Sequence, residues 1–156
     1  MEPTDYLLDH SDLDWPRLLQ AWSWLLPPEL TVWLVNRFGD LFAILDDGSV
    51  WKLDLGLGTF EKLADDRDAF CDEVDRDGKA ADWFLVPLVD RLVEAGKILE
   101  LGHCYGFVIP PVAAEGSYSI GNITPLPVAE VYGWMGSFHE RIRDLPDGAK
   151  IQVKVV

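Results

Sequence analysis

The chain has 156 residues, with 13 Lys and Arg against 27 Asp and Glu, and a formal charge of −14. That length suits a single domain able to bury a core without disulfide or metal staples, and 49% hydrophobic residues exclude a wholly disordered chain. A pI near 4.4 excludes nucleic acid and anionic lipid as main partners, because phosphate binding needs clustered Lys and Arg.

Two cysteines, Cys71 and Cys104, are too few for a secreted disulfide scaffold and fit a reducing cytoplasm. The start, Met1-Glu2-Pro3-Thr4-Asp5, is acidic where a signal peptide is basic. No apolar run reaches the roughly 18 to 20 residues of a transmembrane helix. The expectation is a soluble, cytoplasmic protein with no membrane partner.

The first ten residues carry little pattern and read as loose. Asp14-Trp15-Pro16 predicts a helix start, with an acidic cap and proline in the first turn. Leu18, Leu19, Trp22 and Leu25 or Leu26 continue it until Pro27-Pro28. Trp15, Trp22 and Trp24 read as core anchors. From Thr31 the period shortens: Thr31–Arg37, Asp40–Asp46 and Val50–Leu55 predict a three-stranded meander, with turns at Asn36–Asp40 and Asp46–Ser49. In the third strand Trp51, Leu53 and Leu55 share one face and Lys52 and Asp54 the other, the alternation of a half-solvated sheet.

Thr59–Leu63 reads as a further short extended piece. A helix is expected from Ala64-Asp65-Asp66 to about Asp75, and a more apolar one over Ala81–Ala95 with Leu85, Leu88, Val89, Leu92 and Val93 as its stripe. Pro87 stands near the start of the second and Gly96 at its end. Ile98–Leu101 and Tyr105–Ile109 look extended. A Gly-, Ser- and Pro-rich loop with one strand around Ile123 follows. Val128, Val131, Tyr132, Met135, Phe138, Ile142 and Leu145 then repeat at helical spacing, weakened by Gly133 and Gly136. Pro146-Asp147-Gly148 predicts a turn and Ile151–Val156 a terminal strand. The fold class is α+β: one compact domain, an antiparallel meander sheet with packed helices, residues 1–30 forming a helical N-terminal extension.

The residues point to no catalytic centre. His103 and Cys104 are sequence neighbours, so on a strand they face opposite sides and make a poor nucleophile–base pair. Cys71 sits among acids that raise a thiol pKa. Metal motifs are missing; the nearest calcium-loop lookalike, Glu73 to Gly78, has Phe84 where a bidentate Glu belongs. Gly56-Leu57-Gly58-Thr59-Phe60-Glu61 ends in Glu where a dinucleotide fingerprint needs Gly. No cofactor or metal is expected. Charge is the remaining signal: Asp65, Asp66, Asp68, Asp72, Glu73, Asp75 and Asp77 fall in thirteen residues, relieved by Arg67 and Arg76. Such a run is either a solvated helix face or a docking surface for a basic partner.

Three stretches, taken in order, resemble a bacterial family. They are Val35–Phe42 leading into Leu45–Val50; Gly58–Ala64 leading into Arg67–Phe70; and Cys104-Tyr105-Gly106-Phe107-Val108-Ile109-Pro110-Pro111. Asn122-Ile123 and Asp144-Leu145-Pro146-Asp147-Gly148 follow. Over roughly residues 31–150 the chain is similar to the domain-of-unknown-function family that forms the C-terminal part of type VI secretion DNase immunity proteins. A departure is Val112-Ala113-Ala114-Glu115-Gly116, where that pattern has Leu-Gly-Gly-Glu-Tyr. The resemblance implies a non-catalytic, cytoplasmic antitoxin that binds a cognate secreted toxin, often a nuclease. The charge implies a basic one, with the seven acids as the binding residues. An alternative is a small-molecule-binding or sensory domain with an aromatic pocket drawn from Trp51, Trp83, Tyr105 or Trp134. A third is a hydrolase on two of the many carboxylates.

Overall fold

A computed structural model describes residues 3–145. The turn predicted at Pro146-Asp147-Gly148 and the strand predicted over Ile151–Val156 lie outside them.

Strands β1 (Thr31–Val35), β2 (Leu41–Ile44), β3 (Val50–Asp54) and β4 (Thr59–Ala64) form one antiparallel sheet in sequence order. The expected three-stranded meander therefore has four strands, because the Thr59–Leu63 piece pairs along β3, Leu53 opposite Phe60 and Lys52 opposite Glu61. The β1–β2 turn is built by Asn36, whose Oδ1 accepts from the Phe38 and Asp40 amides at 2.9 and 3.0 Å. This is the turn chemistry that favours Asn at such positions. Strands β5 (His103–Phe107) and β6 (Ile123–Pro127) make a separate antiparallel ribbon.

Both faces of the sheet are covered. Leu41, Ala43, Leu53 and Leu55 pack against Leu18, Trp22 and Leu26 and against Val128, Val131, Tyr132 and Met135 of the long helix Val128–Ile142. Phe42 and Val50 pack on the opposite side with Phe70, Phe84, Val89, Leu92, Tyr105 and Ile123. The half-solvated sheet read from β3 is thus corrected: the Lys52 and Asp54 side chains are only 13% and 18% exposed. Burial is possible because Lys52 lays its ammonium 6.0 Å from the Phe42 ring centre and 3.7 Å from Asp54.

Among the described residues there are five α-helices: α1 (Trp15–Leu18), α2 (Arg67–Arg76), α3 (Ala80–Trp83), α4 (Val86–Glu94) and α5 (Val128–Ile142). Two predicted helices are broken. Asp14 caps α1 as expected, but the chain tightens into a 3-10 turn at Leu19–Trp22. There the Trp22 indole donates to the Tyr132 carbonyl at 3.1 Å, and Trp24 donates to the Ala21 and Gly136 carbonyls. A buried indole N–H needs such a partner. The helix expected over Ala81–Ala95 divides at Leu85, which is left-handed at φ 53. Pro87 supplies the reason: it has no N–H for the Trp83 carbonyl, and its ring collides with that carbonyl in a continuous helix. The freed Trp83 oxygen accepts from Asn36 Nδ2 at 3.0 Å, tying α3 to the β1–β2 turn.

Two further expectations change. Ile98–Leu101 forms no strand; Ile98 and Leu101 are exposed, and β5 already has β6 as its neighbour. The first ten residues are not loose where described. Leu7 bridges Asn36, the Leu8 amide donates to the Val35 carbonyl, and buried Tyr6 donates to Asp90 at 2.8 Å.

Candidate partner-binding surface

Helix α2 carries most of the predicted acidic run. Asp66 is its N-cap, accepting from the Ala69 amide at 2.7 Å, and Asp68 lies in the first turn, where the positive helix end favours an anion. Phe70 and Val74 turn inward, Phe70 against Phe42, Trp33 and Trp83. The spacing i, i+3, i+4, i+7 then puts Asp68, Cys71, Asp72 and Asp75 on one line, and all four are exposed. Asp65 precedes the helix and pairs with Lys62 at 2.7 Å. Glu73 is half-buried on the flank facing β4, and Asp77 is the C-cap.

The seven acids therefore do not act as one unit. Asp66 has a structural task. Asp65, Asp68, Asp72 and Asp75 project into solvent, and Arg76 reaches Asp72 only at 4.0 Å with both side chains largely exposed. Ion pairs of that kind contribute about 0 to 1 kcal/mol. Asp68 and Asp72 stand one turn apart as like charges, while Asp75 and Asp77 crowd the negative end of the helix dipole. Asp66 and Asp68 favour the helix start, whereas the Asp68–Asp72 repulsion and the acids at the helix end work against it.

An open depression of 560 Å³ lies between β4 and α2. Leu63, Ala64 and Ala69 give it apolar lining, and Lys62, Asp65, Asp72 and Glu73 polar walls. Asp72 of the charged stripe thus lines a recess.

The other chemical candidates are placed apart. The Cys71 thiol is pushed up by partial burial and then by Asp75, Asp68 and Asp72, which leaves it protonated and unreactive near neutrality. Cys104 is buried in the core, and burial followed by Asp40 raises its thiol further. His139, also buried, donates from Nε2 to the Leu55 carbonyl at 2.9 Å. Since a carbonyl only accepts, the ring nitrogen there carries the proton. Burial lowers the His139 pKa, so the ring is neutral. Glu73, Asp75 and Asp77 point to different sides of α2 and its end, which no calcium loop does. Among the described residues no three His, Cys, Asp or Glu side chains converge in a way that could hold a metal ion.

The four aromatic residues read as a pocket lining do not share one. Tyr105 is fully buried, Trp83 stacks on Phe70, Trp51 stacks on Phe60 and Trp134 pairs with Phe138. An apolar groove does open elsewhere, between Trp15, Leu19, Leu26, Pro27 and Val32.

Sequence reasoning missed Asp40, a 3% exposed carboxylate whose neighbour is Asp54. Burial, then Asp54, push its pKa up to about 6, against the opposing pull of Lys52 and of its hydrogen bonds. Its Oδ1 accepts from the Leu55 amide at 2.9 Å and its Oδ2 from Asn36 Nδ2 at 3.0 Å, with Lys52 at 3.9 Å. Both Asp40 oxygens are committed to the chain, so this carboxylate pins the β1–β2 turn to the end of β3. The signal available in the sequence was the Asn36-to-Asp40 turn itself, whose two polar ends can bond each other.

Residues 64–139 match the family described as T6SS immunity protein Tdi1, C-terminal, the same family that the sequence resembles. The match begins at the last residue of β4 and ends inside α5, so it contains α2 whole and leaves β1 to β3 outside. No curated protein matches the chain. Among the described residues no helix is long and apolar enough to cross a membrane.

Proposed function

We propose that this chain is a non-catalytic bacterial immunity protein, a single α+β domain acting in the cytoplasm, that binds and neutralises a basic secreted toxin through the exposed face of α2. The family match supports an immunity role. The observation that carries the docking surface is the line Asp68, Asp72 and Asp75, exposed beside a recess inside the matched segment. Like charges one turn apart, with Asp75 near the negative end of the helix dipole, cost some stability and find their use in a partner of opposite sign. A nuclease fits this chemistry, since a protein that grips a polyanion presents Lys and Arg, and an acidic surface competes for the same groups.

The test is co-expression with the product of the neighbouring effector gene. The expected result is cell survival and a complex that co-purifies and weakens as salt rises. Survival should fail with the triple variant D68N/D72N/D75N, provided its circular dichroism is unchanged. A variant that protects fully would remove the acidic face from the proposal. The absence of both complex and protection with the unaltered chain would remove the immunity reading.

A further inference from the structure

The four-stranded sheet has two edges, and they differ. At β1, one end is occupied: Leu7 bridges Asn36 and the Leu8 amide donates to the Val35 carbonyl at 2.8 Å. At β4, no strand pairs with the outer edge among the described residues. A strand edge presents alternate N–H and C=O groups that seek partners. Here the edge borders the 560 Å³ corner with α2, where Leu63, Ala64 and Ala69 meet Asp65, Asp72 and Glu73.

We infer that β4 is completed by an extended segment of the partner, rich in alternating Lys or Arg and aliphatic residues, which adds as a fifth strand and lies along α2. This rests on the reading that the acidic face meets a basic protein, and it adds the mode of contact. Strand addition supplies affinity through main-chain hydrogen bonds and selectivity through every second side chain. The two-residue period of a strand places alternate side chains toward the α2 corner and the rest away from it. The corner asks for both chemistries: aliphatic groups on Leu63, Ala64 and Ala69, and cations beside Asp65, Asp72 and Glu73. Lys62, which would discourage such a segment, already has its ammonium 2.7 Å from Asp65. A cationic segment can displace it and take the carboxylate. Asp72 is open in the same way, its own Arg76 standing off at 4.0 Å.

The probe is a synthetic eight-residue peptide of alternating Lys and Val, titrated into the full 15N-labelled chain and followed by amide chemical shifts. Two controls have the same length: one N-methylated at alternate residues, with its charge unchanged, and one alternating Glu and Val. The expected result is saturable shifts confined to Thr59–Ala64 and the first two turns of α2. Methylation should weaken binding by about tenfold or more, as a lost set of backbone hydrogen bonds requires. The Glu peptide should not bind. The variant D65N/D72N, altered only at exposed side chains, should lose about tenfold in affinity at low salt while its urea midpoint stays put.

Equal binding by the methylated peptide would overturn strand addition and leave plain charge attraction. Shifts along Thr31–Leu34 instead would place the docking edge on the wrong side of the sheet and overturn it equally. A toxin complex that protects cells, yet leaves the β4 amides unshifted, would defeat this inference while the immunity reading stands. Peptide binding without protection would do the reverse.

Discussion

Gly58 and His139 share one corner of the core: a β-carbon on Gly58 would overlap the imidazole of His139. Gly58 is also left-handed, at φ +70. The β3–β4 turn and the last turn of α5 are therefore fitted to each other through an absent side chain. Gly58→Ala meets both backbone strain and overlap, and the unfolding free energy should fall by about 2 kcal/mol or more. Urea unfolding of the variant checks it. A loss under about 0.5 kcal/mol, the range of neutral surface changes, would mean that the two groups do not touch in solution.

Gly136 predicts an inversion of helix propensity. Within an α-helix Gly→Ala ordinarily stabilises by about 1 kcal/mol. At Gly136 a β-carbon would stand 2.6 Å from the Ala21 carbonyl oxygen, which also accepts from Trp24. Gly136→Ala should therefore destabilise, by about 1 to 3 kcal/mol, whereas Gly133→Ala, which faces open space, should stabilise. Thermal unfolding of the two variants side by side decides the matter.

Asp40 and His139 should give opposing pH dependences. Asp40 has a folded pKa near 6, above its unfolded value of about 3.9, so the folded chain binds the proton more tightly. Its contribution is full below about pH 4 and is lost as pH rises through about 6, on the order of 3 kcal/mol in all. His139 has a lowered folded pKa, so its contribution is present above about pH 6.5 and is lost as pH falls through the folded value. Asp40→Asn isolates the first. It should be less stable than the parent, since its amide cannot accept from both Leu55 and Asn36. The gap should narrow as pH is raised from 5 to 7.5. A gap that is constant across that range would place the Asp40 titration elsewhere.

On the surface, stability and binding should part. Replacing Asp68, Asp72 and Asp75 by Asn removes like-charge repulsion along α2 and one acid from its negative end. The thermal midpoint should hold or rise slightly, while association with a basic partner slows most at low salt. A midpoint that falls would assign the three carboxylates a structural task.

Much of the fold was legible because it depends on local period and turn chemistry. The shift from helical to alternating pattern at Thr31 marks β1, Asp66 caps α2 where the acids begin, and the Val128-to-Ile142 spacing is α5. Pro87 signalled a disturbance, but its outcome depended on Asn36, 47 residues away along the chain from Trp83 and ready to take the freed carbonyl. The candidate surface was equally visible as a charge run. What spacing did not separate was Asp66, bound to its own helix, from Asp68, Asp72 and Asp75, bound to nothing buried.

The net acidity, the α+β succession of elements and the concentration of carboxylates at α2 were all legible from the sequence alone. Those properties are sums or short-range patterns, and they survive whatever the distant parts of the chain do. Tertiary structure alone decided that the Lys52 and Asp54 side chains are largely covered, that the Asp40 pKa rises to about 6, and that among the described residues no strand pairs with the outer edge of β4. Each depends on what lies across a sheet or behind a strand, where desolvation and the presence or absence of a hydrogen-bonding neighbour set the energy.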